Sequence, residues 1–326
     1  MSAANKPEVI DQLAHSLAPH QVLVQHDFSR LADFHLTADN VSFVPKPSHA
    51  GWAFSSFTDA VFHALQHALS HLEFDYLQLL SARCLPIKSL DQFESHVSGA
   101  EDAHFDCIDL SRDRDALMSV GYRAYTPEKS IRHRVARRLS SAYFGASLGQ
   151  RDEAGVRLRS GGRRALVSLA AVLANKALSH PAIGRHVFDH AFRPYYGSVW
   201  FGARSHVVSQ MVEAYLRPGI RAYFNRLHRA EDFLIPTLLM HTKPNKGPMN
   251  HCVQIAHQAQ PDGFDETQLE QLRQSPAYFA RRFPGNPEAP VRIKVLRELA
   301  AVQGRSIDMT AAAHGHSRHR AARTIV

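Results

Sequence analysis

The stretch that most limits how this chain can fold is Tyr195 to Thr242. A short apolar run, Ser198-Val199-Trp200-Phe201, follows Gly197 and reads as a strand. Apolar residues at Val207, Val208, Met211, Tyr215 and Leu216 then recur at helical spacing. An acidic pair, Glu231-Asp232, stands directly before a second apolar helical run, Phe233 to Leu239. Carboxylates at a helix start are stabilised by the exposed N–H groups there, so the pair reads first as a cap. A strand feeding a helix, with an acid-led helix behind it, places the chain among proteins in which sheets and helices alternate.

The rest of the sequence repeats that alternation. Pro7 to Leu17 reads as a helix with Val9, Ile10, Leu13 and Leu17 on one side. Gln21 to Gln25, Val41 to Val44, Phe74 to Leu80 and Phe105 to Leu110 read as strands. Ser56 to Leu72 reads as a helix with an apolar stripe of Val61, Leu65, Ala68 and Leu72. His63, His67 and His71 share another face of it, one turn apart, behind Asp59. A straight row cannot wrap an ion from several sides, so the row reads as a polar face. Leu90 to His96, Glu266 to Gln274 and Val291 to Leu299 complete the helical readings.

Three separated blocks carry a family resemblance. Gly197-Ser198-x-Trp200-Phe201, followed about thirty residues later by Glu231-Asp232 and then Leu238-Leu239, is the first. The second runs from Phe74 to Ser89 (FDYLQLLSARCLPIKS), and the third is Phe279-Ala280-Arg281-Arg282-Phe283. Together, and in this order, they resemble the core-2/I-branching β-1,6-N-acetylglucosaminyltransferase family, which includes the peptide O-xylosyltransferases. The resemblance spans roughly Pro7 to Leu299.

It implies an α/β, GT-A-like nucleotide-sugar-binding fold, a mixed central sheet flanked by helices. One domain over 1–300 is expected, with a helical basic insertion at about 126–180 and a disordered basic tail over 301–326. In the family a strand precedes the first helix; here only Met1 to Lys6 precede Pro7, and they are not apolar. Either that strand is lost or the chain starts late.

The resemblance also implies chemistry. The family transfers a sugar from a UDP-sugar, with inversion and without a metal. Its catalytic glutamate falls on Asp232, with Glu231 one residue earlier as the other candidate. Asp is shorter by one carbon, about 1.5 Å. Arg281 and Arg282 take the place of an ion at the diphosphate, since guanidinium groups stay charged and fork onto phosphate oxygens. Asp27 and the Gly51-Trp52 turn are the remaining nucleotide-sugar contacts, and Ser198, Val199 and Trp200 face the acceptor. Two positions depart from the pattern. Cys84 stands where the family has Asp, and Asn250-His251 stand about where a phosphate-binding base is usual.

Composition narrows the setting. At 44% hydrophobic residues the chain can bury a sizeable core. No run of eighteen apolar residues occurs, and the N-terminus lacks a signal-type apolar segment. Three scattered cysteines make no disulfide framework, so a soluble, bacterial-type cytoplasmic relative is expected. The formal charge of +8 is concentrated between Arg132 and Arg164 and after Arg305. It suits an anionic partner. The expected partners are a UDP-sugar and a glycan or lipid-linked saccharide acceptor. No nucleic acid is expected, and the basic helices would touch a membrane only peripherally. Asp113-Arg114-Asp115 matches a metal-binding pattern, but Arg112 and Arg114 would repel a cation, so no metal and no cofactor is expected. The rival reading is a catalytically decayed relative that binds an anionic glycan or nucleic acid.

Overall fold

The computed structural model describes residues 6–26, 34–45, 56–110, 149–152, 155–158, 187–224, 230–254, 263–300 and 324–325. Helix α1 (Pro7–Ser16) buries Val9, Ile10, Leu13 and Ala14, and Leu17 just beyond it is buried too, as its spacing predicts. Strands β1 (Gln21–Val24) and β2 (Val41–Phe43) follow. Helix α2 (Ser56–His71) presents Val61, Leu65 and Ala68 to the core. Then come β3 (Tyr76–Gln78), β4 (Cys84–Pro86) and α3 (Leu90–Val97), the last started by Ser89, whose hydroxyl accepts from the Gln92 amide. The short strand β5 (Ala103–His104) precedes the run read as a strand, Phe105 to Leu110, and β6 (Cys107–Asp109) falls within it.

Within the basic insertion, β7 (Gly149–Asp152) and β8 (Gly155–Leu158) form an antiparallel hairpin. The helical stretches read on either side, Ser130 to Phe144 and Arg163 to Leu178, lie outside the described residues. The chain resumes with β9 (Tyr195–Gly197), β10 (Gly202–Arg204), α4 (Ser205–Leu216) and α5 (Pro218–Phe224). Helix α6 (Glu231–His241), β11 (Cys252–Gln254), a 3-10 turn (Glu266–Gln268) and α7 (Leu269–Gln274) come next. The last elements are β12 (Phe279–Arg281), α8 (Pro290–Val295), a π-helical turn (Leu296–Ala300) and β13 (Thr324–Ile325).

The central sheet has six strands in the order β2-β1-β13-β3-β10-β5. The first four run parallel, and β10 is antiparallel to both β3 and β5, so the sheet is mixed as expected. Strand β13 sits between β1 and β3. Its two residues belong to the tail that composition reads as disordered.

A second sheet, β11-β12-β4, brings distant blocks together: Arg281 pairs with Cys84 and Gln254 with Arg281. This sheet was not foreseen. Its strands are three residues each, too short for an alternation to show, and Pro86 reads as a strand breaker although it is itself the end of β4.

Two further readings are corrected. Ser198 to Phe201 is not a strand but the turn between β9 and β10. The Ser198 hydroxyl accepts from the Trp200 amide at 3.1 Å, which bends the chain locally. Glycines hold the strands on either side: a Cβ at Gly197 would strike the Asp106 carbonyl, and one at Gly202 would strike the Tyr76 hydroxyl. Leu216, assigned to the apolar face of α4, is 46% exposed, because the helix ends there and the chain turns at Arg217.

One buried charge ties α8 to α1. Arg292 on α8 is fully buried; its Nε donates to Gln12 Oε1 at 2.7 Å and its Nη1 to the Pro284 carbonyl at 3.2 Å. Burial pulls this guanidinium down to about 10.

Candidate active site

The three blocks that carry the resemblance meet in space. Beside β3, the Leu79 amide donates to the Phe201 carbonyl at 2.9 Å, and Gln78 Nε2 donates to the same carbonyl at 3.0 Å. This joins the Phe74–Ser89 block to the Gly197–Phe201 turn. β12, which carries Arg281, pairs antiparallel with β4 of the same block. The guanidinium of Arg281 lies over the Trp200 ring, 4.3 Å from its centroid. Such a cation–π contact is worth about 0.5–2 kcal/mol, more as water is excluded. Arg281 Nε also donates to Ser81 Oγ at 3.1 Å and Nη1 to Gln254 Oε1 at 3.3 Å. The arginine is therefore held from three sides, with Trp200, at 7% exposed, as its platform.

Cys84 is fully buried next to this arginine, and its sulfur lies 3.2 Å from both the amide and the hydroxyl of Ser81. Burial pushes its thiol up; the hydrogen bond with Cys252, the Arg281 charge and the Ser81 contacts outweigh that and bring it to about 7.

The other departure from the family pattern is structural. Asn250 is buried; its Nδ2 donates to the Trp200 carbonyl at 2.7 Å and to Asp106 Oδ2 at 3.1 Å, and its Oδ1 accepts from the Cys252 amide at 3.1 Å. It holds the Trp200 turn from behind rather than offering a charge to a phosphate.

Helix α6 packs its whole circumference. Phe233, Leu234, Ile235, Leu238 and Leu239 are all at 0% exposure, a burial worth about 1.5–3 kcal/mol for each such side chain. Thr237 fixes its position on β9: Oγ1 accepts from the Tyr195 amide at 2.9 Å and donates to the Tyr195 carbonyl at 3.2 Å. Asp232, in the first turn, is 6% exposed, and Glu231 is half-buried. No side chain caps this helix at Ala230, so its N-terminal dipole acts on the two carboxylates. Pro236 lies inside the helix, where it has no N–H to donate. The acid pair thus rides on a rigid helix pinned to β9, the strand that leads into Ser198 and Trp200.

Of the sequence-predicted site residues, Trp200 and Arg281 touch, Ser198 shapes the turn and Val199 is half-buried within it. Arg282, next in the chain, accepts through its carbonyl from the Phe264 amide at 2.8 Å. Asp27, Gly51 and Trp52 lie outside the described residues, as does Asp113-Arg114-Asp115. His63, His67 and His71 line one face of α2, with the His67 and His71 rings stacked at 4.2 Å.

The sequence reading missed a buried histidine cluster behind the site. His96, His104 and His251 each bring one ring nitrogen within 4.8 Å of the others. Burial, reinforced by His96, holds His104 down at about 4, and burial with His104 and His96 pushes His251 well below its ordinary value. No motif spacing links these three positions, so nothing in the sequence marks them as neighbours.

The mixed sheet and its helices make this an α/β protein, consistent with a GT-A-like fold. Residues 18–132, about a third of the chain, match the family described as Branch, Core-2/I-Branching enzyme. The match supports the family resemblance over that stretch, and the family it names is one of glycosyltransferases. The Gly197–Phe201 turn and β12 lie beyond the matched residues and are tied to them by the contacts above, while the helix of the acid pair is bonded to β9 through Thr237. No curated protein matches the chain. Among the described residues, no helix is long and apolar enough to cross a membrane.

Proposed function

We propose that this chain is an inverting, metal-independent glycosyltransferase. It moves N-acetylglucosamine or xylose from a UDP-sugar to a hydroxyl of a glycan or lipid-linked saccharide, in the cytoplasm or peripherally at the inner membrane. The observation that carries the reading is Arg281 held over Trp200 beside the β3–β4 block.

The steps follow from the residues. An ionised carboxylate accepts a proton without further activation, so Asp232, with Glu231 as the alternative, takes the proton of the acceptor hydroxyl. The oxygen attacks the anomeric carbon, the bond to the diphosphate oxygen breaks, and UDP leaves with both electrons of that bond. Arg281 and Arg282 offset the charge that develops on the leaving diphosphate. Trp200 is the platform that carries Arg281 at the substrate, with Ser198 and Val199 beside it. Asp27, Gly51 and Trp52 complete the nucleotide contacts. One displacement predicts inversion at the anomeric carbon, and NMR of the product linkage tests it; retained configuration would contradict it.

Cys84 in place of a carboxylate favours a second reading, a decayed relative that only binds an anionic glycan or nucleic acid. Thermal stabilisation by UDP without added metal supports the transferase. Binding to polyanions that falls steeply with salt, with no preference for uridine nucleotides, supports the binder.

A further inference from the structure

The buried histidines behind the site stand out for what they leave unmade. Nε2 of His96, of His104 and of His251 are all buried and, among the described residues, have no hydrogen-bond partner. A buried polar atom without a partner is costly, and three at one place call for a ligand.

The surrounding bonds fix which atoms are on offer. Gln78 Nε2 faces two carbonyls, those of Leu79 at 3.3 Å and Phe201 at 3.0 Å, so its amide orientation is determined. Its Oε1 then accepts from His251 Nδ1 at 3.0 Å. The proton of neutral His251 is therefore on Nδ1, and Nε2 carries a bare lone pair. His104 Nδ1 is bonded to the Tyr76 hydroxyl at 2.8 Å, which leaves its Nε2 as the remaining ligand atom. His104 and His251 are at 0% exposure, and His96 is half-buried, giving an ion a way in. The His104 and His251 rings lie 3.9 Å apart, centroid to centroid, and an outer shell that holds imidazoles through Nδ1, as here, is one by which proteins orient histidines for transition metals.

We infer that His96, His104 and His251 form a divalent transition-metal site, with zinc as the cation that best suits it. Neutral imidazoles suit zinc, copper and nickel and offer nothing to calcium or magnesium. Nitrogens bound to zinc at about 2.0–2.1 Å in a tetrahedron lie about 3.3 Å apart. The present separations, up to 4.8 Å, close to that with shifts of about an ångström or less for each ring. The charged groups acting on His104 are Glu101, Lys246 and Arg204. Arg204 is committed to the Val97, Gly99 and Glu101 carbonyls. The backbone of Gly247 lies against the His104 ring, where a Cβ would collide with Nε2. Three protein ligands leave the fourth position to water or another small ligand.

The site joins α3, β5 and the turn before β11, so a bound ion staples the edge of the central sheet to the second sheet. It stands apart from the sugar chemistry. The neighbouring Asn250 holds the Trp200 turn, so the ion stiffens the floor of the candidate site without touching the reacting groups.

The test uses the untagged full chain. The protein is incubated with zinc chloride, desalted, and its metal measured by mass spectrometry; cobalt is then substituted and its visible spectrum recorded. The expected result is about one zinc per chain, cobalt bands of tetrahedral intensity, and a melting temperature lowered by chelation. His96→Asn, at the half-buried position, should retain its circular dichroism and lose at least tenfold in zinc content; His67→Asn should lose none. Less than about a tenth of a zinc per wild-type chain, or equal zinc in wild type and His96→Asn, would overturn the site. These readouts need no donor sugar, so they stand or fall separately from the transferase reading.

Discussion

Two neighbouring regions of this protein treat their polar groups in opposite ways. Around Trp200 the polar side chains are committed: Arg281 to Ser81, Gln254 and the indole, and Asn250 to Trp200, Asp106 and Cys252. About His104 the inner atoms of three imidazoles have no partner among the described residues, although their outer atoms are well held. Gln78 belongs to both, donating to the Phe201 carbonyl on one side and accepting from His251 on the other. The contrast separates two ways of building a site. A committed arginine is preorganised for charge that arrives with a substrate. Uncommitted lone pairs are preorganised for a cation.

Substitutions can break this contrast at either end. The largest expected effect is on turnover. Asp232→Asn should lower donor turnover by about 10²- to 10⁴-fold, the usual contribution of a general base. If Glu231→Gln shows that loss and Asp232→Asn does not, the base is the earlier residue. Arg281→Met keeps much of the packing on Trp200 and removes the charge. It should cost about tenfold to a thousandfold in turnover, in the range of a lost transition-state donor.

The next effect is on stability against acid, measured in metal-free protein. His104 is held at about 4 when folded, against an ordinary 6.5. The unfolded chain therefore binds the extra proton as pH falls below about 6.5. Stability present above that pH is lost progressively down to about 4, of order 3 kcal/mol for this group. Thermal melts from pH 7.5 to 4 in chelator check it, and a flat melting temperature across that window would remove the imidazoles from the account. Zinc should raise the curve most near neutral pH, where ligation does not compete with protons.

A smaller effect is expected at the shared residues. Gly202→Ala places a methyl against the Tyr76 hydroxyl and Gln78 Oε1. Overpacking of this kind costs about 1–3 kcal/mol. It should lower both denaturant stability and zinc retention, since the same two groups orient His104 and His251. Gly285→Ala, with open space around the added methyl, should stay within about 0.5 kcal/mol of wild type.

Much of the fold was legible because its helices repeat at 3.6 residues and its parallel strands are apolar runs. The stripe of α2 and the buried face of α1 are examples. The acid pair and the Arg281 block were legible as ordered segments resembling one family. What escaped depends on tertiary contact. The Ser198–Phe201 turn reads as a strand because its bend is set by one serine hydroxyl and by glycines that touch other strands. The second sheet has strands too short for a period. The slot of β13 is fixed by pairing with β1 and β3, not by anything in its own two residues. The histidine cluster joins positions eight and about a hundred and fifty residues apart, a spacing without local meaning.

The claim on which the account turns is that an acid of α6 and Arg281 serve one sugar transfer. The direct measurement is hydrolysis of a panel of UDP-sugars by wild type, Asp232→Asn and Arg281→Met, with chelator present and below the melting temperature of the chelated protein. The account predicts that wild type hydrolyses one donor of the panel without added metal and that both variants are slowed at least tenfold on it. Equal hydrolysis by all three proteins, or none by wild type while UDP fails to stabilise it, would contradict the account.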